Sequence, residues 1–204
     1  MSTINTLVFD LGNVLIDWNP HYLFTRIFPE EKERNWFIDN ICTMDWNEEQ
    51  DGGRSLQEGT ELLVRKFPDH ETSIRAYYDY WEEMLGDPIK GTVEIFRHLK
   101  ATTDMKFYAL TNWSAETFPI ALSRYDFLHW FDGRIVSGEE KTRKPFEKIY
   151  RALIDKYAIE PSRTVFVDDN ARNLVPAEKL GFHTIHFKSP EQFREELKRL
   201  GVAV

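Results

Sequence analysis

TLVFD (residues 6–10) and TVFVDD (164–169) decide the fold, because each is an unbroken apolar run, rich in β-branched and aromatic residues, that ends on acid. KFYALTN (106–112) and GRIVS (133–137) repeat the pattern, and HTIHF (183–187) is a weaker fifth. Runs of this kind are strands buried on both faces, and helix-length segments between them call for parallel pairing. The sequence therefore predicts a doubly wound α/β fold, Rossmann-like in layout, with a mostly parallel sheet.

The intervening segments have helical limits. GTVEIFRHLKATT (91–103) sets Val93, Phe96 and Leu99 at near-helical spacing, and SAETFPIALSRY (114–125) opens on Ser114 as a cap. PFEKIYRALIDKYAI (145–159) begins with proline in its first turn, NLVPAEKLGF (173–182) ends at Gly181, and SPEQFREELKRLG (189–201) is a charged surface helix. Residues 18–88 break the rhythm: they lack a clear strand pattern and are rich in aromatics and charge. They read as an α-helical cap inserted into a core of residues 1–17 and 89–204, over the crevice where open α/β sheets bind ligands.

The 204 residues, 42% of them hydrophobic, suffice for one substantial core. Lysine and arginine total 26 against 34 acids, a net charge of -8 with no long basic run, which argues against a nucleic-acid partner. Cys42 is the single cysteine, so no internal disulfide forms, and a reducing cytoplasm fits. MSTINTLVFDLGNVLI at the amino terminus has no basic leader and is broken by Asp10, Gly12 and Asn13, so it reads as neither signal peptide nor membrane span. A soluble protein with no membrane partner is expected, as a monomer or a homodimer.

In a parallel sheet the carboxyl ends of neighbouring strands share one edge, which brings Asp10, Thr111 and the Asp168/Asp169 pair to one crevice with Lys144 on a nearby loop. Lys144 precedes Pro145, where the chain must leave helical geometry, and this favours a fixed, inward lysine over a solvated one. Clustered carboxylates repel unless a cation compensates. Oxygen-only ligands suit Mg2+, and the lack of a histidine or cysteine cluster argues against zinc. A carboxylate attacking phosphorus gives an aspartyl phosphate, and the substrate class expected is a small phosphorylated molecule. Within the insertion, DGGRS (51–55) reads either as a plain turn or as a loop carrying Arg54 to the substrate.

Four segments in order, FDLGNVLID (9–17), LTN (110–112), RKPFEKIY (143–150) and VFVDDNARN (165–173), resemble the haloacid dehalogenase-like hydrolases across almost the whole chain. The resemblance implies a helical cap and makes Asp10 the nucleophile. It implies that Thr111 binds phosphoryl oxygens with Asn112 beside it, and that Lys144 neutralises nucleophile and phosphate. Asp169 looks like a metal ligand together with Asp10 and the Gly12 carbonyl, Asp168 is in contact or behind it, and Asn173 is a supporting polar residue. One position departs: where most phosphatases of the family carry a second aspartate as general acid and base, this chain has Gly12.

Losing that acid matters least for good leaving groups, such as the anomeric phosphates that some FDLGNV-type phosphatases of this family hydrolyse. Asn13, Asp17 or a cap residue are the candidate substitutes. The 2-haloacid dehalogenases of the family also lack the second aspartate, but they need no metal and carry small polar residues where this chain has Asp168 and Asp169. The paired carboxylates favour a phosphatase. A phosphate-binding or regulatory protein with weak turnover is the reading from another class.

Overall fold

The computed structural model describes residues 3–204. Its strands are β1 (Thr6–Phe9), β2 (Ile16–Trp18), β3 (Leu85–Pro88), β4 (Lys106–Thr111), β5 (Gly133–Val136), β6 (Thr164–Asp168) and β7 (His183–His186). Five of them form a parallel sheet in the order β5-β4-β1-β6-β7, with the first strand of the chain at its centre. The expected doubly wound α/β architecture is present, and β1 pairs in register with both neighbours, Leu7 lying against Phe107 on one side and Val165 on the other.

Alternation along the strands explains why each run is apolar throughout. Leu7, Phe9, Phe107, Ala109, Val165 and Val167 face one hydrophobic cluster, whereas Val8, Tyr108, Leu110 and Phe166 face a second. Successive side chains of a strand point to opposite faces, so a sheet covered on both sides has no polar phase.

The helices between β2 and β3 are α1 (Pro20–Ile27), α2 (Glu31–Asn40), α3 (Met44–Asp51), α4 (Leu56–Lys66) and α5 (Glu71–Asp79). They are followed by α6 (Lys90–Thr102), α7 (Phe118–Arg124), α8 (Ser137–Glu140), α9 (Glu147–Tyr157), α10 (Ala171–Lys179) and α11 (Pro190–Arg199). Side-chain caps start several of them: Asn19, Thr43, Ser55, Asn170 and Ser189 each accept a backbone N–H from the first turn that follows. Among the described residues no helix is long and apolar enough to cross a membrane.

The structure corrects several local expectations. β2 and β3 pair antiparallel on either side of these helices, although Leu-Gly-Asp-Pro in β3 carries no strand pattern. Helix α7 starts at Phe118 rather than at Ser114. Pro119 is the reason, since it fits the first turn of a helix but would break one begun four residues earlier. Ser114 instead receives the Glu116 N–H on Oγ at 3.1 Å. Pro145 likewise lies ahead of α9, which begins at Glu147.

The first hydrophobic cluster continues from the sheet into the segment between β2 and β3 and includes Leu23, Phe24, Phe37, Tyr77 and Trp81. The junction is aromatic: Trp81 meets Trp113 edge-on at 5.5 Å between ring centroids, and Trp113 meets Phe118 at 5.7 Å.

Candidate active site

Asp10 stands one residue past β1, where its N–H still donates to Val167 O at 2.9 Å. The chain then folds back sharply: Leu15 and Ile16 both donate to Leu11 O, at 2.9 and 3.0 Å, and Asn13 donates to Ile16 O at 2.7 Å. Asn13 adopts a left-handed conformation with φ 55°, which asparagine tolerates better than most residues. Its Oδ1 receives the Trp18 N–H at 3.3 Å and its side chain also hydrogen-bonds Asp169, so the turn is tied to the end of β6. Beside Asp10, a Cβ built on Gly12 would meet nothing within 4 Å.

Lys144 is fully buried between two carboxylates, with Nζ 2.9 Å from Asp10 Oδ1 and 2.6 Å from Asp168 Oδ2. Asp168 is held further by Asn173 Nδ2, at 3.0 and 3.1 Å from its two oxygens, and by the Asn170 N–H at 2.8 Å. Asn173 is fixed in turn, because its carbonyl accepts the Tyr150 hydroxyl at 2.6 Å. One oxygen from each of Asp10, Asp168 and Asp169 lies within 4.8 Å of the others. Three carboxylates against one ammonium leave a negative excess in a buried place.

The proton affinities follow from this crowding. Burial raises the Asp10 carboxyl, Lys144 pulls it down, and Asp168 and Asp169 push it up again, leaving it near 8. Burial works against charge on Lys144, but Asp10 and Asp168 outweigh it and hold the ammonium more firmly protonated than usual. Burial and the neighbouring Asp168 raise Asp169 as well. A divalent cation relieves this strain, and an all-oxygen donor set of this kind fits Mg2+.

At the end of β4, Thr111 is 1% exposed and its hydroxyl has no hydrogen-bond partner. An unpaired buried hydroxyl is costly, and Thr111 is not among the side chains that line the cavity above the sheet edge. Asn112, expected from the sequence to touch substrate, spends its amide on the Lys144 peptide instead: Nδ2 donates to Lys144 O and Oδ1 accepts Lys144 N–H. It lines the cavity but acts on the lysine.

Above the carboxyl edge lies a cavity of about 160 Å³ lined by Asp10, Gly12, Asn13, Asn112, Lys144, Asp169 and Asn173 from the sheet side. Helix α3 closes it with Met44, Asn47, Glu48 and Asp51, a stripe at i, i+3, i+4 and i+7 that shares one helix face. Sequence reasoning missed this stripe and Arg172, although the spacing was the available signal. Trp18, Trp81 and Trp113 supply apolar wall. Arg54 does not reach the cavity: Nε donates to Gln50 Oε1 at 2.6 Å and a terminal nitrogen to Trp46 O at 3.2 Å. The cations that cross from the sheet to α3 are Arg172, paired with Glu48, and Arg143, which lies 3.5 Å from Glu48 and 3.1 Å from Glu49.

The chain is 23% identical over 199 residues to drimenol cyclase drtB of Aspergillus calidoustus, covering 97% of this chain but only 36% of that protein. It is 24% identical to sesquiterpene phosphatase astK of Aspergillus oryzae, covering 98% of this chain and 97% of that one. Among solved structures, a predicted HAD-like hydrolase from Porphyromonas gingivalis superposes with a TM-score of 0.76 at 23% identity, with 100% of both chains covered. A HAD-family enzyme of Bacteroides thetaiotaomicron in complex with magnesium and inorganic phosphate gives 0.67 at 23% identity, over 91% of this chain and 95% of that one. The L-2-haloacid dehalogenase of Xanthobacter autotrophicus gives 0.65 at 17% identity, over 99% and 85% of the two chains. The profile of the haloacid dehalogenase-like hydrolases matches residues 4–181, and the chain belongs to that family.

Proposed function

We propose that this hydrolase is a magnesium-dependent phosphatase of a small phosphorylated metabolite, working through an aspartyl phosphate on Asp10, with the helices between β2 and β3 serving as its cap. The observation that carries the reading is the buried cluster in which Lys144 bridges Asp10 and Asp168 while Asp169 stands within reach of both. A negative excess of this kind has a use when a cation and an anionic phosphoryl group share the site, and none in carbon–halogen cleavage. The phosphatase among the sequence relatives and the magnesium and phosphate bound in a structural neighbour support the same reading.

Both polar contacts to Asp10, from Leu11 N–H at 2.7 Å and from Lys144, fall on Oδ1, which leaves Oδ2 to attack phosphorus. Lys144 stays charged and offsets the approach of nucleophile to phosphate. Thr111 donates its free hydroxyl to a phosphoryl oxygen. Asn112 fixes the segment that carries the lysine. When bound by Asp10, Asp169, Asp168 and the Gly12 carbonyl, Mg2+ would supply charge stabilisation for the transferring group.

A panel of phosphate esters and 2-haloacids, run with Mg2+ and with a chelator, tests the reading. Phosphate release that needs Mg2+ and is abolished in Asp10→Asn is the expected result. Halide release that ignores the chelator would establish a dehalogenase instead.

A further inference from the structure

Four carboxyl groups line the cavity: Asp10, Glu48, Asp51 and Asp169. Asp10 is the attacking group and Asp169 belongs to the cation cluster. Glu48 is taken up by ion pairs with Arg172 and Arg143. Asp51 differs. Its close partners are neutral donors, Asn47 Nδ2 on Oδ2 at 3.1 Å and the Ser114 backbone N–H.

Its position also opposes ionisation. Asp51 is the last residue of α3, where the helix carbonyls present their negative end, and no basic residue occupies that last turn. Glu48, one turn earlier on the same face, adds a second negative charge. A carboxylate at a helix carboxyl terminus breaks the usual charge preference, and such local violations concentrate at functional positions.

We infer that Asp51 is the general acid and base of this enzyme, delivering from the helical insertion the proton that Gly12 cannot supply from the sheet. The proposal rests on the aspartyl-phosphate reading above. A Cβ on Gly12 would meet nothing within 4 Å, and Gly12 and Asp51 line the same cavity, so the leaving group can lie between the sheet edge and α3. Asp17, another candidate from the sequence, accepts the Tyr22 hydroxyl and is not among the residues that line the cavity.

In the first step Asp10 Oδ2 forms its bond to phosphorus as the bond to the ester oxygen breaks, and that oxygen takes the Asp51 proton and departs as an alcohol. In the second, Asp51 carboxylate removes a proton from water as the water oxygen bonds to phosphorus. The bond from phosphorus to Asp10 then breaks, inorganic phosphate leaves, and Asp51 is again protonated. A group serving both steps needs a proton affinity near neutrality. Burial and Glu48 raise Asp51 from 3.8 to about 7, against the opposing effects of the Ser114 N–H, Arg143 and Lys144.

The test compares an alkyl or sugar phosphate turned over by the wild type with p-nitrophenyl phosphate, whose phenolate leaves without a proton. Asp51→Asn should lower kcat/KM for the alkyl ester about 10² to 10³-fold more than for the nitrophenyl ester, within the usual range for general acid–base catalysis. It should also remove the fall in alkyl-ester kcat above about pH 7. Equal losses on both esters, or an unchanged alkaline limb, overturn the proposal in favour of a purely structural Asp51. A wild type that hydrolyses p-nitrophenyl phosphate but no alkyl or sugar phosphate has no working acid and also overturns it. Should Asp51→Asn lose its circular dichroism spectrum, Asp51→Ser on the same two esters decides by the same ratio. Asp10→Asn is the separate control: inactivity on both esters keeps the phosphatase reading whatever Asp51 does, and retained activity removes that reading itself.

Discussion

Asn112 grips the Lys144 peptide at both ends, donating from Nδ2 to the carbonyl oxygen at 3.0 Å and accepting the N–H on Oδ1 at 2.8 Å. The pair stitches the end of β4 to the loop ahead of α9 and sets the height of the ammonium between Asp10 and Asp168. Asn112→Ala removes both bonds while sparing the lysine. At about 1 kcal/mol each, the loss should lower kcat about 10 to 100-fold and change KM much less, as steady-state kinetics will report.

Thr111→Val tests whether the buried hydroxyl serves the fold or the ligand. Because the hydroxyl has no partner, its replacement by a methyl group of the same shape should leave Tm unchanged or raise it. Activity should move the other way. Loss of one hydrogen bond to a charged phosphoryl group is worth about 1.5 to 3 kcal/mol, hence a fall in kcat/KM of about 10 to 150-fold. A drop in Tm would assign the hydroxyl to packing.

Two glycines make a matched pair. A Cβ on Gly138 would stand 2.3 Å from Ala115 N and 2.9 Å from Trp113 O, both backbone atoms, whereas one on Gly12 would meet nothing within 4 Å. Gly138→Ala should therefore cost about 1 to 3 kcal/mol, lower Tm and perturb Trp113 fluorescence. Gly12→Ala should melt close to the wild type.

The Asp51 carboxyl binds its proton more tightly in the folded chain, about 7 against an ordinary 3.8. Its contribution to stability is therefore full below pH 3.8 and is lost as pH rises toward 7. Each pH unit in that window is worth ~1.4 kcal/mol. Asp51→Asn lacks this dependence, so its Tm relative to the wild type should rise between pH 4 and pH 8. A difference that is flat across that range would show that Asp51 ionises freely.

The sheet was legible because β1, β4 and β6 are apolar in both phases, a pattern that parallel strands covered on both faces produce and little else does. Asp10, Lys144, Asp168 and Asp169 could be brought together on paper because strand ends share an edge, and the fold does bring them together. Side-chain direction was less legible. Arg54 sits on a glycine-flanked turn that looked free to bend toward substrate, yet Gln50 and the Trp46 carbonyl, both on the preceding helix, hold its guanidinium. The α3 stripe escaped notice because Met44, Asn47, Glu48 and Asp51 mix apolar, polar and charged chemistry. Periodicity is conspicuous when one face is uniformly apolar, and a cavity wall is not.

Trp81 meets Trp113 edge-on, where the helices between β2 and β3 share one apolar cluster with one face of the sheet. In folding terms, these helices have no core of their own to fall back on, whereas the sheet keeps a second cluster on its other face. Parting them exposes indole surface on both sides, so heat or urea should find one cooperative transition rather than two.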